Sequence, residues 1–291
     1  MTYDPAAHAA AGPGGVTPPG PSPFSAPYDS DRRPGQEDLA AVPLPVELTE
    51  AARTLFGDRL DLATEYAELL ATDGVLRGLI GPREAPRIWD RHMLNCAALA
   101  ELIPAGCSVV DVGSGAGLPG IVLAIARPDL SVVLVEPLAR RTAFLTETVA
   151  ALGLDESVTV LRGRAEEFAS GGPDGEMLPA EIVTARAVAP LDRLAGWCLP
   201  LVAVGGRLLA MKGASAADEV AEYGQAVARL GGGSPVVRQC GVGLVEPATT
   251  VVEIVRERAL GGSGSRAART SRRVAARSDS DRRGGGRTQR R

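Results

Sequence analysis

Apolar positions along this chain fall into two textures. Between Val46 and Pro104 they recur at helical spacing: Leu55, Leu60, Leu62, Tyr66, Leu69 and Leu70, then Ile88, His92, Leu94, Leu99 and Leu102. One face of a helix repeats at that interval, so the stretch predicts a small helical region, punctuated at Gly57, Gly74 and Gly81-Pro82. From Cys107 the texture changes. Short β-rich runs alternate with longer helical patterns: CSVVDV, SVVLVE, SVTVLRG, EIVTARAV and GRLLAMKG, each followed by a helical stretch, and then PVVRQC and TTVVEIV with no helix between them. Strands alternating with helices predict an α/β fold with a parallel, doubly wound sheet that ends in a hairpin.

Both ends lack either pattern. The expected organisation is a disordered tail over 1–43, the helical region over 44–104, an α/β domain over 105–258 and an Arg-rich disordered tail over 259–291. The charge is divided accordingly. Net charge is −4, yet residues 261–291 hold ten Arg and two Asp, about +8, which leaves about −12 for the rest. Lys212 is the only lysine, and every other basic side chain is arginine. The N-terminus lacks the pattern of a secretory signal, and no apolar run is long enough to span a membrane. Four scattered cysteines without a C-x-x-C pair, and only two His, argue against a structural metal site or a disulfide framework. A cytoplasmic, metal-free protein is expected.

In doubly wound sheets, ligands bind beyond the carboxyl ends of the strands. VVDVGSGAGLPG follows the first strand there. Gly113, Gly115 and Gly117 permit a tight turn and close backbone approach, Asp111 precedes them, and Glu136 ends the second strand, where a carboxylate can accept ribose hydroxyls. A glycine loop with a downstream acid implies an adenosine-type ligand. A dinucleotide would bring a pyrophosphate that Asp111 repels. S-adenosylmethionine carries an ammonium and a sulfonium instead, and is the expected cofactor.

DVGSGAGLPGIVLA, RAEEF, ARAVAPL and LLAMKG, in this order and preceded by WDRHMLNCAAL, resemble the RsmG family, also called glucose-inhibited division protein B. The resemblance runs from about Leu55 to Val255. It implies a class I methyltransferase, Rossmann-like fold and transfer of a methyl group from S-adenosyl-L-methionine to N7 of one guanine in 16S ribosomal RNA. Carried over by position, it implies cofactor contacts at Gly113 and Leu118, at Ala165 and Glu166 after the third strand, and at Arg186 after the fourth. The partner would be the RNA itself, the small ribosomal subunit or an assembly intermediate, and the enzyme would act as a monomer.

Guanine N7 carries a free lone pair, so its methylation needs neither a general base nor a covalent nucleophile, and positioning dominates. Lys212 and Arg186, at the ends of adjacent strands, are the expected catalytic pair. Lys212 would meet guanine O6 or a phosphate, since a cation aimed at N7 opposes the developing charge; a strand-end cation solvated by water is the alternative. His92 reads as structural or RNA-facing and Trp89 as core. Arg83, Arg87, Arg91, Arg140, Arg162 and Arg164 could form a basic face, with the tail adding nonspecific attraction to RNA. Arg141, beside Arg140, binds phosphate or is solvated. A nucleotide-dependent dehydrogenase, a methyltransferase-fold RNA-binding or assembly factor, and a methyltransferase for another substrate are the competing readings.

Overall fold

The computed structural model describes residues 42–171, 178–186 and 189–260. Most of both tails expected to be disordered, 1–43 and 259–291, lies outside these residues. The helices before residue 104 and the sheet after it fall within one compact unit, Ala40–Arg291.

The first part is built from α1 (Thr49–Phe56), α2 (Leu60–Leu69) and α3 (Leu94–Ala98), joined by 3-10 and π turns. Its apolar stripe is buried: Phe56, Tyr66, Leu70, Ile88, Trp89, Met93 and Leu94 are all at most 3% exposed. Trp89 packs edge-on against Phe56, with ring centroids 6.4 Å apart, and its indole N–H donates to the Val42 carbonyl. It is a core residue, and the large apolar area of an indole is spent on the helices themselves.

Seven strands follow: β1 (Ser108–Val112), β2 (Ser131–Glu136), β3 (Val158–Arg162), β4 (Ala180–Arg186), β5 (Val202–Met211), β6 (Val236–Cys240) and β7 (Thr249–Val255). They form one sheet in the order β3-β2-β1-β4-β5-β7-β6. The first five pair in parallel; β7 runs antiparallel between β5 and β6. The helices between them are α4 (Gly120–Ala126), α5 (Ala139–Ala151), α6 (Ala165–Ala169), α7 (Leu191–Cys198) and α8 (Ala216–Arg229). Central strand β1 is buried on both faces because helices cover both, as is usual for parallel strands; its one charged side chain, Asp111, is buried with it. The expected hairpin exists as β6–β7, but β7 is its inner strand and completes the far side of β5.

The sequence pattern started the fifth strand at Gly206. The chain enters it at Val202, paired with Ala180, and a bulge then shifts the register to Ile182 opposite Arg207. A helical reading of the preceding stretch had absorbed Val202 and Ala203, because a short apolar run has no period of its own.

Strand order reverses between β1 and β4, which are neighbours with connections leaving in opposite directions. A crevice at their carboxyl ends is the expected ligand site for such a sheet.

Candidate functional site

The glycine loop is held from below. Asp111 is fully buried; one carboxylate oxygen accepts the Gly120 N–H at 3.0 Å and the other the Thr184 hydroxyl at 3.0 Å. It therefore ties the start of α4 to the middle of β4. Burial pushes its carboxyl up to about 6, against the pull of those hydrogen bonds. Asp111 lines neither cavity described below. Both carboxylate oxygens are committed to fixing the loop and α4, where the sequence suggested a direct charge contact with the ligand.

Tyr66, from α2, donates its hydroxyl to the Ala116 carbonyl at 2.6 Å. Gly117 lies against it with φ +95°, and a Cβ there would stand 2.7 Å from the Tyr66 oxygen and 2.5 Å from an Ile121 methyl. Leu118 is 8% exposed. Glu136 is also buried: its two oxygens accept the backbone N–H groups of Gly115 and Leu138, each at 3.0 Å, and Arg141 lies 3.8 Å from it. The second acid thus shapes the loop, and each oxygen keeps a further lone pair for another donor.

Above this loop a cavity opens at the ends of β1, β2 and β3. Gly113, with φ +70° and open space where a Cβ would stand, forms one edge. Ala165 and Glu166, at the first turn of α6, form another, and Leu194 and Trp197 of α7 close it with apolar surface. An apolar wall with the first turn of α6 and the Glu166 carboxylate at its edge suits a purine nucleoside, so the residues present fit S-adenosyl-L-methionine. Sequence reasoning passed over Leu194 and Trp197. The available signal was that Trp197 is one of only two tryptophans and follows the fourth strand by one helix.

A second, larger cleft opens on the other side of the reversal point, over β4, β5 and the start of β7. Arg87, Arg91, Arg186 and Lys212 line it, against the carboxylates of Asp90 and Glu246. No cysteine or histidine is among its lining residues. Arg87 and Arg91 are exposed and paired with Asp90 and Glu84, at 2.6 and 3.0 Å. Of the basic face expected from sequence, only these two reach this cleft; Arg164 lines the smaller cavity instead, and Arg83, Arg140 and Arg162 are exposed elsewhere.

Arg186 is held in place by the helical region. Its guanidinium lies 2.6 Å from His92 Nδ1, 3.4 Å from the Arg91 carbonyl and 3.5 Å from the Cys96 sulfur. Burial, with the Arg186 charge next to it, holds the His92 imidazole down to about 4. The ring is neutral at pH 7, so Nδ1 accepts from the arginine and the proton resides on Nε2. Nε2 is buried without a hydrogen-bond partner, 3.6 Å from Glu84. His92 is therefore neither solvated nor a lining residue of the cleft; it sets the angle of Arg186.

Lys212 follows β5 directly. Its side chain is 5% exposed, and the ammonium donates to the Ala189 carbonyl at 2.6 Å and to Glu219 of α8 at 2.8 Å. A water-solvated strand-end cation does not describe it. Asn95 finishes the cleft wall: Thr249 donates to its side-chain oxygen at 2.6 Å, and its amide donates to the Asp90 carbonyl at 2.7 Å. No group of three or more His, Cys, Asp or Glu side chains placed to share a metal ion occurs among the described residues. None of the described helices is long and apolar enough to cross a membrane.

Residues 59–243 match the model of a family described as rRNA small subunit methyltransferase G. A ribosomal RNA small subunit methyltransferase G from Salinispora arenicola is 69% identical, covering 82% of this chain and 98% of that one. The protein of the same name from Rhodococcus jostii is 57% identical, covering 71% of this chain and 88% of its own. A solved structure of a putative S-adenosyl-L-methionine-dependent methyltransferase from Methanococcus maripaludis overlaps at TM-score 0.44 and 13% identity, over 69% of this chain and 94% of that one.

Proposed function

We infer that this chain, which belongs to the rRNA small subunit methyltransferase G family, transfers a methyl group from S-adenosyl-L-methionine to N7 of a specific guanine in 16S ribosomal RNA. The observation that carries the reading is the pairing of two spaces at the strand-order reversal. One is a small, apolar-walled cavity beside the glycine loop, and the other is a wide cleft with four cations in its wall. The first is sized for a nucleoside cofactor. The second can admit a purine with its flanking phosphates.

S-adenosyl-L-methionine supplies an electrophilic methyl group on a sulfonium, with a thioether as leaving group. The residues proposed to hold it are Gly113, Gly115, Gly117 and Leu118 of the loop, Glu136 at the ribose, and Ala165 and Glu166 at the adenine. Asp111 keeps the loop and α4 in register. Trp197 and Leu194 exclude water from the base. Arg186, directed by His92, lines the larger cleft at the end of β4 and is proposed to meet the cofactor carboxylate.

The guanine N7 lone pair forms the new N–C bond, and the bonding pair to sulfur leaves with the thioether. The base becomes cationic and loses no proton in the step. That is why a cleft whose wall carries neither cysteine nor histidine suffices for this reaction. Lys212 is proposed to reach guanine O6 or an adjoining phosphate with the one ammonium N–H that Ala189 and Glu219 leave over. Arg87 and Arg91 are placed for phosphates, which fix register without reading sequence. Action on ribosomal RNA places the work in the cytoplasm.

The test is direct. Purified full-length protein is incubated with methyl-labelled S-adenosyl-L-methionine and small subunits from cells lacking the modification. The RNA is then digested to nucleosides. Label in 7-methylguanosine alone is expected; label in another nucleoside, or none, refutes the assignment.

A further inference from the structure

The single lysine of the chain is not free to act as a bare cation. Its ammonium is held between the Ala189 carbonyl, at 2.6 Å, and the Glu219 carboxylate, at 2.8 Å. Glu219 is 19% exposed at its side chain, and its other oxygen accepts the Ser215 hydroxyl at 3.2 Å. Ser215 immediately precedes α8 and Glu219 lies in its first turn, so the carboxylate is anchored on a helix rather than on a mobile side chain. Nothing in the sequence pattern singles it out. It is one of several acids on a helix of ordinary amphipathic spacing.

We propose that Glu219 is a positioning residue for methyl transfer: it orients the Lys212 ammonium toward the substrate base and cancels its charge while the guanine becomes cationic. The inference rests on the function assigned above and concerns the same cleft. Three facts support it. An ammonium has three donors, and two are taken by fixed acceptors, so the third has a defined direction. Ala189 lies three residues beyond Arg186, so the same ammonium ties the segment after β4 to the end of β5. The third is electrostatic. Methylation at N7 places positive charge on the purine, and an uncompensated ammonium bonded to O6 would oppose that charge. A carboxylate 2.8 Å from the ammonium removes most of that opposition while the N–H donor remains.

The same geometry explains why this position holds lysine in a chain otherwise built with arginine. A tetrahedral ammonium reaches a carbonyl, a carboxylate and a third acceptor in three directions. A planar guanidinium instead presents its donors in one plane, in a fixed fork.

The experiment is a double-mutant cycle in the full-length protein, with Glu219→Gln, Lys212→Met and the pair combined. Turnover and KM are measured on small subunits lacking the modification, alongside S-adenosyl-L-methionine affinity by calorimetry. Glu219→Gln keeps shape and removes charge. It is expected to lower kcat by roughly 10- to 100-fold, with KM for the subunit and cofactor affinity within about twofold of wild type. In the Lys212→Met background it is expected to have no further effect, because its action passes through the ammonium. A merely structural role for Glu219 gives a different pattern, with an equal loss whether or not the lysine is present. The inference is overturned if Glu219→Gln turns over within about twofold of wild type, or if its effect persists undiminished without the lysine. Wild-type protein that makes no 7-methylguanosine in the same assay defeats the function assignment instead, so the two failures are distinguishable.

Discussion

Single residues set the tolerances of this site. Gly117 has room for hydrogen only: its φ is +95°, and a methyl group would press on the Tyr66 hydroxyl and on Ile121. Gly117→Ala is therefore expected to lower stability by about 1–3 kcal/mol through strain at positive φ and displacement of the loop. Chemical denaturation should register that loss, with a parallel drop in cofactor affinity. An alanine variant as stable as wild type would mean the loop relaxes freely. His92 makes a second prediction, in pH. Its folded pKa is lowered to about 4 from an unfolded 6.5, so the unfolded chain binds the proton first as pH falls. The stability it contributes is complete above pH 6.5 and is lost as pH drops toward 4. Asp111 acts oppositely: its carboxyl is raised to about 6, so between pH 6 and its unfolded value of 3.8 acid favours the folded form. The two contributions offset each other in wild type. Comparison with His92→Gln isolates the histidine: the stability gap between wild type and variant should shrink from pH 7 to pH 4.5. A gap that is constant over that range would contradict a neutral His92 under Arg186.

At the scale of elements, the cleft is assembled from pieces far apart in sequence. The π turn at Ile88–Met93 delivers Asp90 and Arg91; β4 delivers Arg186; Lys212 directly follows β5; and β7 delivers Thr249. Asn95 is the joint between the first and last of these, through Thr249 and the Asp90 carbonyl. Asn95→Ala is expected to cost about 0.5–1.5 kcal/mol, since it removes the amide's bond to the Asp90 carbonyl while the Thr249 hydroxyl keeps the backbone carbonyl of residue 95. It should raise KM for the small subunit while cofactor affinity holds, because only the larger cleft is touched. Raised cofactor Kd instead would place the joint's effect in the wrong half of the site. The same dispersal explains what the sequence revealed. The glycine loop, Glu136 and the strand-terminal Arg186 and Lys212 were legible, because parallel α/β topology puts every strand's carboxyl end at one edge and the eye needs only the strand ends. Trp197, Tyr66, Thr184 and Glu219 were not, since each owes its place to how a helix or strand lies across the sheet. Asp111 shows the difference within one residue: its importance was readable from its position before the loop, but its burial under α4 was a matter of packing.

For the whole molecule, charge is the unusual feature. The chain is acidic overall, yet its last 31 residues, 261–291, hold ten arginines. Those residues lie outside the described structure, and the prediction rests on their charge alone. Each phosphate neutralised by a cation releases counterions and steepens the fall of affinity with salt. Deleting residues 261–291 should weaken RNA binding at low salt and flatten the dependence of log affinity on log salt. Methyl transfer at saturating substrate should be unchanged, since the two cavities lie wholly within residues 87–250. An unaltered salt slope would remove the tail from the RNA interface.

The central claim is that the two spaces on either side of the strand-order reversal bring one guanine N7 to one methyl donor. The most direct measurement is borohydride–aniline mapping of 16S ribosomal RNA from the native host. RNA from cells with the gene would be compared with RNA from cells in which it is deleted, and with RNA from deleted cells carrying it again on a plasmid. The account predicts scission at a single guanine in the first and third samples and none there in the second. An identical scission pattern in all three would contradict it.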